Sequence, residues 1–535
     1  MSDNNDNRSI LTHMSQDGNK DTIKNRIKFV RTLLEDNDLK PMVDFSDMNT
    51  EAFINKSKDS DSGGSYNTRV SLKKEIHDIT NIIDKIGGTL KYFKSGSTGH
   101  TFRGVEMDNK NNILYEYAVK VVPYSIKDKY GSAVDTRRPE NAELMMIKLL
   151  SYFVVKEITP HIVLPIGTFD TDITHFTDLI EKGFITKGDT KSKNNSYKKY
   201  CEFVSRYKKG EFYNEVSILI SEWADKGDLS SFIKKYYQNF TTLHWKVIFF
   251  QIISTLAVIQ FKYPTFRHND LKANNILVTK SNKTVPSYTY TVSCNEYDVP
   301  NIGYQIKLWD FDFACIPGIV DNMKVLLSCP WSRKINVGLA QNRYYDIHFF
   351  FNTLVRKQGF FPELMDSDVI AQEVKDFILS IVPKEYQEGN TVSEGGRILH
   401  NMEYVIPSDI LKHNPFFAEF RRNNYQSSSI NKQNSRKINI DCDDILFTRS
   451  NSPPRSRDTT LKKSKMNGFL KGGSKTTHGK QSKKKSRDKT SDKEQKNRTK
   501  KIVKELTKSI IKEKKKTKKE KHKHNTSHKN KEHMQ

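Results

Sequence analysis

The stretch Arg267–Val278, RHNDLKANNILV, decides how the rest of the chain is read. It sets Asp270, Lys272 and Asn275 between a long apolar segment of helical period and a short apolar, strand-like run. Moving a phosphoryl group requires a carboxylate to orient the attacking hydroxyl, a cation for the moving charge and an oxygen ligand for Mg²⁺. These three side chains supply one of each. Downstream, KLWDFDFA (307–314) puts Asp310 after a second apolar strand, where its carboxylate can serve a metal. Either segment alone also reads as a turn in which Asp and Asn cap the backbone. Both in this order favour chemistry.

Short β-like runs precede that stretch: GGTLKYFKSG (87–96), ILYEYAVKVV (113–122), HIVLPIGTF (161–169) and EVSILISEW (215–223). A helical pattern, ENAELMMIKLL (140–150), lies between the second and third. In TTLHWKVIFFQIISTLAVIQ (241–260), Trp245, Ile248, Phe249, Ile252, Leu256 and Ile259 recur at helical spacing. Strands first and helices later predict an α+β fold of two lobes. We expect a body over about residues 85–420, with a β-rich lobe to about 223 and a helical lobe from about 224. Polar insertions are expected near 170–210 and 281–301. Residues 1–84 read as a partly disordered extension with little chemistry, although Ile23, Ile27, Val30 and Leu33 can share one helix face.

Of the 535 residues, 36% are hydrophobic, low for a chain that is globular throughout. The net charge is +26, and its location matters more than its size. Arg421–Gln535 holds 36 Lys and Arg against 11 Asp and Glu, which accounts for +25 of it. Such a tail cannot offset its ordering entropy by apolar burial and reads as disordered. One basic amphipathic helix is expected within it, at Val503, Leu506 and Ile510. A polycation implies an anionic partner, nucleic acid or an anionic membrane surface. Without interleaved aromatics, base stacking is not expected. No transmembrane run and no secretory signal are expected. Five scattered cysteines without a CxxC pair argue for a reducing compartment.

HNDLKANNIL closely resembles the catalytic loop of the eukaryotic protein kinase superfamily, H-R-D-L-K-x-x-N-I-L, and Asp310-Phe311-Asp312 resembles its D-F-G. KSGSTGHTFRG resembles the glycine-rich loop with two of three glycines, Gly96 and Gly99. Lys120 in YAVKVV matches the lysine that holds the α- and β-phosphates. Glu143 matches the helix glutamate that pairs with it, with Glu140 as a competitor one turn earlier. SEWADKGDL resembles the hinge, which implies adenine near the backbone of Glu222 and Ala224, ribose near Asp228, and Ser221 as a small gatekeeper. Asp346 resembles the aspartate that braces the catalytic loop. The resemblance implies a Ser/Thr protein kinase using ATP and Mg²⁺ (or Mn²⁺). Asp270 would be its base, Lys272 its phosphoryl stabiliser, and Asn275 and Asp310 its metal ligands, with protein substrates.

Two departures bear on activity. Asn269 replaces the arginine that receives an activation-loop phosphate, so that switch is not expected. Asp312 replaces glycine, which implies a stiffer metal loop. These features, with the small gatekeeper, are similar to the divergent kinases of large DNA viruses such as the poxvirus virion kinase. That resemblance implies an intracellular, cytoplasmic protein that can be packaged in a virion. Two rival readings are a pseudokinase scaffold that binds polyanions through its tail and a small-molecule kinase. The long segment after Asp310 favours a protein acceptor over the latter.

Overall fold

The computed structural model describes residues 22–35, 38–43, 45, 54–58, 66–70, 72, 74–126, 128, 130–188, 190–327, 330–356, 359–422 and 436–438. The expected tail helix around Val503 and most of the expected disordered termini lie outside these residues.

A five-stranded antiparallel sheet forms the first lobe, in the order β3 (Thr89–Ser95), β4 (His100–Met107), β5 (Ile113–Ser125), β7 (Phe212–Glu222), β6 (Pro165–Asp172). The aromatic and β-branched residues of ILYEYAVKVVPYS suit the central strand, and β5 is buried continuously from Tyr117 to Ser125. Edge strand β3 instead alternates and is mostly exposed. A separate antiparallel pair, β1 (Ile54–Lys58) and β2 (Tyr66–Val70), lies earlier in the chain.

Helix α1 (Ile23–Leu34) begins at Thr22, whose hydroxyl accepts from Asn25 N–H, and buries Ile23, Val30 and Leu33 on the expected face. The same helix also buries Arg26, so a stretch read as having little chemistry contributes a buried cation. α2 (Ile79–Ile86) is a short amphipathic turn of isoleucines. α3 (Pro139–Val155) starts with Pro at its first turn and is buried almost all round, because α1, β6 and β7 all contact it.

Both expected insertions have structure of their own. The first carries α4 (Lys191–Lys208), which packs against β3. The second is the hairpin β9 (Ser287–Val292) and β10 (Asn295–Pro300). Arg422 ion-pairs with Glu296 and Asp298 of this hairpin. The short strand Arg436–Ile438 runs parallel to β9, so the first part of the basic stretch contributes to the body's structure.

The second lobe is helical: α5 (Leu229–Tyr236), α6 (Thr242–Lys262), α7 (Tyr345–Val355), α8 (Gln372–Ile381) and α9 (Pro407–His413). Rings from several helices interlock at its centre. Phe377 stacks on Phe416 at 4.2 Å, and Phe249 meets Phe351 edge-on at 4.9 Å. An 18-residue window of the 21-residue α6 has a mean hydropathy of 1.5, apolar enough to cross a membrane by length and composition alone. Here it is the core helix, with Trp245 to Gln260 buried in the lobe. The pair β8 (Ile276–Lys280) and β11 (Tyr304–Leu308) is antiparallel and delivers Asn275 and Trp309 to the start of one strand and the end of the other.

Candidate active site

The strand pairing of β5 dictates where Lys120 lies. It sits opposite Thr101 of β4 and Leu219 of β7, in the middle of the sheet. Its ammonium lies 2.5 Å from Glu143 Oε1 and 2.9 Å from Asp310 Oδ1. Glu140, the competitor, pairs with Arg138 instead. Burial disfavours the Lys120 ammonium, but Asp310 and Glu143 outweigh it and hold its pKa above the ordinary value. Burial raises the Glu143 carboxyl, with Asp310 adding to the effect and Lys120 opposing it. Burial likewise pushes on Asp310, but the Lys120 charge prevails and lowers it. The Asp310 side chain remains 36% exposed.

Asp310 has φ of 62°, a conformation that L side chains adopt at a cost. Asp312 does not share that conformation, so this loop needs no glycine at the third position. The Asp312 carboxylate ion-pairs with Lys324, and its carbonyl accepts from Asn322 Nδ2 at 2.9 Å.

The catalytic-loop residues converge on Asp270. Lys272 Nζ lies 2.8 Å from Asp270 Oδ2, and Asn275 Nδ2 donates to the same oxygen at 3.0 Å. The other oxygen, Oδ1, is taken by the Arg397 guanidinium. Sequence reasoning missed Arg397. It comes from the loop before α9, stacks 4.1 Å over Phe349 of α7, and has no motif around it. The loop itself hangs on Asp346, whose carboxylate accepts from His268 N at 2.7 Å and Asn269 N at 2.9 Å. Asn269 has φ of 62°, which Asn tolerates better than most residues, and its amide donates to Phe313 O at 3.0 Å. Arg267, also missed, donates to the carbonyls of Asn336 and Ala340 and stacks on Tyr345. The activation segment is thus tied to the loop by an arginine two residues before the expected position.

Gly96 and Gly99 form the β3–β4 turn, with Gly96 N donating to Gly99 O at 2.7 Å. A Cβ on Gly99 would collide with the Val121 carbonyl, so this approach demands glycine. The turn rims a cavity of about 310 Å³ that also meets Asp312 and Lys324. From outside, α4 buttresses it: His100 lies between Tyr200 and Phe203, and Ser95 Oγ bonds His100 Nδ1 at 2.7 Å.

At the hinge, Ser221 is buried opposite Ala118, and its hydroxyl has no hydrogen-bond partner among the described residues. The Ala224 carbonyl accepts from Gly227 N at 3.2 Å. The Glu222 side chain turns to Arg26 and Lys307. Asp228 caps α5, accepting from Ser231 N at 2.9 Å, as a plain turn-and-helix reading of that segment also requires.

The sequence model of the poxvirus serine/threonine protein kinases matches residues 124–416. The chain belongs to that family. The matched span contains Glu143, the hinge, Asp270, Lys272, Asn275 and Asp310, and begins after Gly96, Gly99 and Lys120. Similarity to a putative serine/threonine-protein kinase, R400, of Acanthamoeba polyphaga mimivirus is broader. It reaches 44% identity over 411 residues, covering 76% of this chain and 82% of that one. Serine/threonine-protein kinase 2 of monkeypox virus is 31% identical over 159 residues, 29% of this chain and 32% of the relative. The swinepox virus protein of the same name is 33% identical over 139 residues, 25% and 27% of the two chains. As a member of this viral kinase family, the chain joins a sheet lobe and a helical lobe around the residues its motifs singled out.

Proposed function

We propose that this chain is an active, ATP- and Mg²⁺-dependent Ser/Thr protein kinase. The observation that carries the reading is one ammonium, Lys120, held between two carboxylates beside a loop that gathers Asp270, Lys272 and Asn275. Two carboxylates on one cation leave surplus negative charge, with Asp310 partly open, and this suits a divalent metal. Asp310 and Asn275 would hold Mg²⁺ (or Mn²⁺), which when bound offsets the phosphate charge. Gly96 and Gly99 let the backbone approach the phosphates closely, and Lys120, fixed by Glu143, grips them. The backbone of Glu222 and Ala224 would meet adenine, and Asp228 the ribose.

Asp270 orients the acceptor hydroxyl and takes its proton as the new O–P bond forms and the bond to the leaving oxygen of the nucleotide breaks. Lys272 neutralises charge on the moving phosphoryl group. Arg397 acts through Asp270 by fixing one carboxylate oxygen, and is a positioning residue. Asn269 and Arg267 hold the activation segment through carbonyls, so activity does not depend on a phosphate there. The Lys-rich stretch after Arg421 would concentrate the enzyme on nucleic acid or an anionic membrane, with binding that weakens steeply as salt rises. A cytoplasmic site of action, with packaging in particles, fits that use.

The test is transfer of labelled phosphate to a generic protein acceptor, followed by phospho-amino-acid analysis. Asp270→Ala should lose roughly 10²–10⁴-fold in rate while folding normally. Undiminished transfer by folded Asp270→Ala protein overturns the mechanism. Label confined to tyrosine overturns the acceptor class.

A further inference from the structure

Behind the hinge lies a second cavity, of about 570 Å³, which none of Gly96, Gly99, Lys120, Asp270 or Asp310 lines. Its volume falls in the range that small-molecule sites occupy. Arg26 and Lys307 form its floor, and both are buried. They share one carboxylate. Arg26 lies 2.5 Å from Glu222 Oε1, and Lys307 lies 2.8 Å from Oε2. Arg26 also donates to the carbonyls of Pro160 and Ile162 at 2.6 Å each. The floor therefore carries one positive charge more than its carboxylate balances.

The remaining acids of the lining, Glu116 and Asp225, are each paired with a cation of their own, although Asp225 also acts on Lys307 from a distance. Glu116 pairs with Arg103, and Asp225 pairs with Lys226 at 2.8 Å. At the rim, Lys280 and Lys283 add two ammoniums with no carboxylate partner among the described residues. Burial and the Arg26 charge lower the Lys307 pKa to about 8 against the pull of Glu222 and, more weakly, Asp225. Phe29 and Trp223 supply aromatic wall. Trp223 is held in place by an edge-on contact with Phe93 at 5.1 Å.

We propose that this cavity is a ligand site separate from the cleft, and that it takes an aromatic molecule bearing a phosphate group. Lys280 and Lys283 would receive the phosphate at the rim, above the positive floor, while the ring lies against Phe29 and Trp223. Because Glu222 and Trp223 belong to the hinge strand and its continuation, occupancy would stiffen the connection between the lobes. The proposal does not require that the chain transfer phosphate.

Phenyl phosphate is the probe, titrated calorimetrically into the full-length protein, with phenol and inorganic phosphate as comparisons. Saturable binding is expected, tighter than either comparison. It should weaken by roughly tenfold or more in Lys280→Glu/Lys283→Glu, whose exposed changes leave the fold intact. Lys120→Met should bind the probe as the wild type does. Loss in Lys120→Met with retention in the rim variant would show the probe in the cleft and overturn the proposal. Absence of saturable binding in the wild type overturns it too. Equal affinity for inorganic phosphate and phenyl phosphate would overturn the aromatic ligand class.

Discussion

Two buried charge clusters, one around Lys120 and one around Glu222, are near mirror images in composition. In the cleft, one cation, Lys120, stands between two carboxylates, Glu143 and Asp310. Behind the hinge, one carboxylate, Glu222, stands between two cations, Arg26 and Lys307. A buried ion pair seldom adds net stability, because desolvation consumes most of the Coulomb attraction. A triad with a surplus charge is costlier still unless something from outside neutralises it. The cleft carries surplus negative charge and suits a metal. The rear cluster carries surplus positive charge and suits an anion.

The largest effect should come from removing the surplus in the cleft. Asp310→Asn leaves Lys120 paired with Glu143 alone, so the fold should tolerate it. Thermal stabilisation by ADP should then no longer depend on Mg²⁺, and phosphate transfer should fall roughly 10²–10³-fold. A retained Mg²⁺-dependent shift would mean that the metal is held elsewhere.

Behind the hinge, removal of the single carboxylate should be worse than removal of one of the two cations. Glu222→Gln strands Arg26 and Lys307 and should cost about 3–5 kcal/mol in denaturant unfolding. Arg26→Met leaves Glu222 paired with Lys307 and should cost about 1–3 kcal/mol. The reverse order would show that the bonds from Arg26 to Pro160 and Ile162, rather than the charge balance, dominate this cluster.

The two clusters also differ in how visible they were beforehand. Lys120, Glu143, Asp270, Asn275 and Asp310 are spaced by the local geometry of a strand, a helix and a tight loop, so order and spacing bring them out. Lys120 could be recognised because YAVKVV resembles the family's lysine strand; without that context it reads as a lysine at a strand edge. Arg26 gives no such sign. It sits on an amphipathic helix where an arginine usually faces solvent, and its carboxylate partner is 196 residues away along the chain. Arg397 is hidden for the same reason, 127 residues from Asp270. The lobes themselves were legible from the change of period, two to 3.6, between 85 and 260. The helix inside the first insertion was not legible because Lys and Asn mask the apolar face of α4, where Tyr200 and Phe203 alone are buried.

Arg397 allows a finer comparison within the cleft. Arg397→Ala should lower kcat about tenfold and leave KM for ATP unchanged, since it touches Asp270, the proposed base, and none of the residues proposed to hold nucleotide. Arg397→Lys should recover part of the loss. A faster Arg397→Ala enzyme would instead identify this arginine as a plug over Asp270.

The smallest effect is on the pH dependence of stability, and it ties the rear cluster to the rest of the fold. His161 lies between the two residues whose carbonyls Arg26 takes, with Nδ1 2.9 Å from Ile306 O and Nε2 3.0 Å from the Tyr290 hydroxyl. Burial, with Arg26 and Lys307 adding to it, lowers its pKa to about 3, and burial lowers His100 and His348 to about 4. The native state keeps all three neutral while the unfolded chain binds protons below about pH 6.5. Stability must therefore fall as pH drops from about 6.5 toward 4, and Glu222, lowered to about 2, extends the loss below that. Glu143, Glu140 and Asp346, each raised by burial, act the other way and flatten the slope. Urea midpoints between pH 7.5 and 5 should show this slope. In His161→Gln the slope should shrink, one of the buried histidines that drive it having gone. An unchanged slope would mean that His161 already carries a proton in the native state, and the positive surplus beside it would then have to be smaller than its charges indicate.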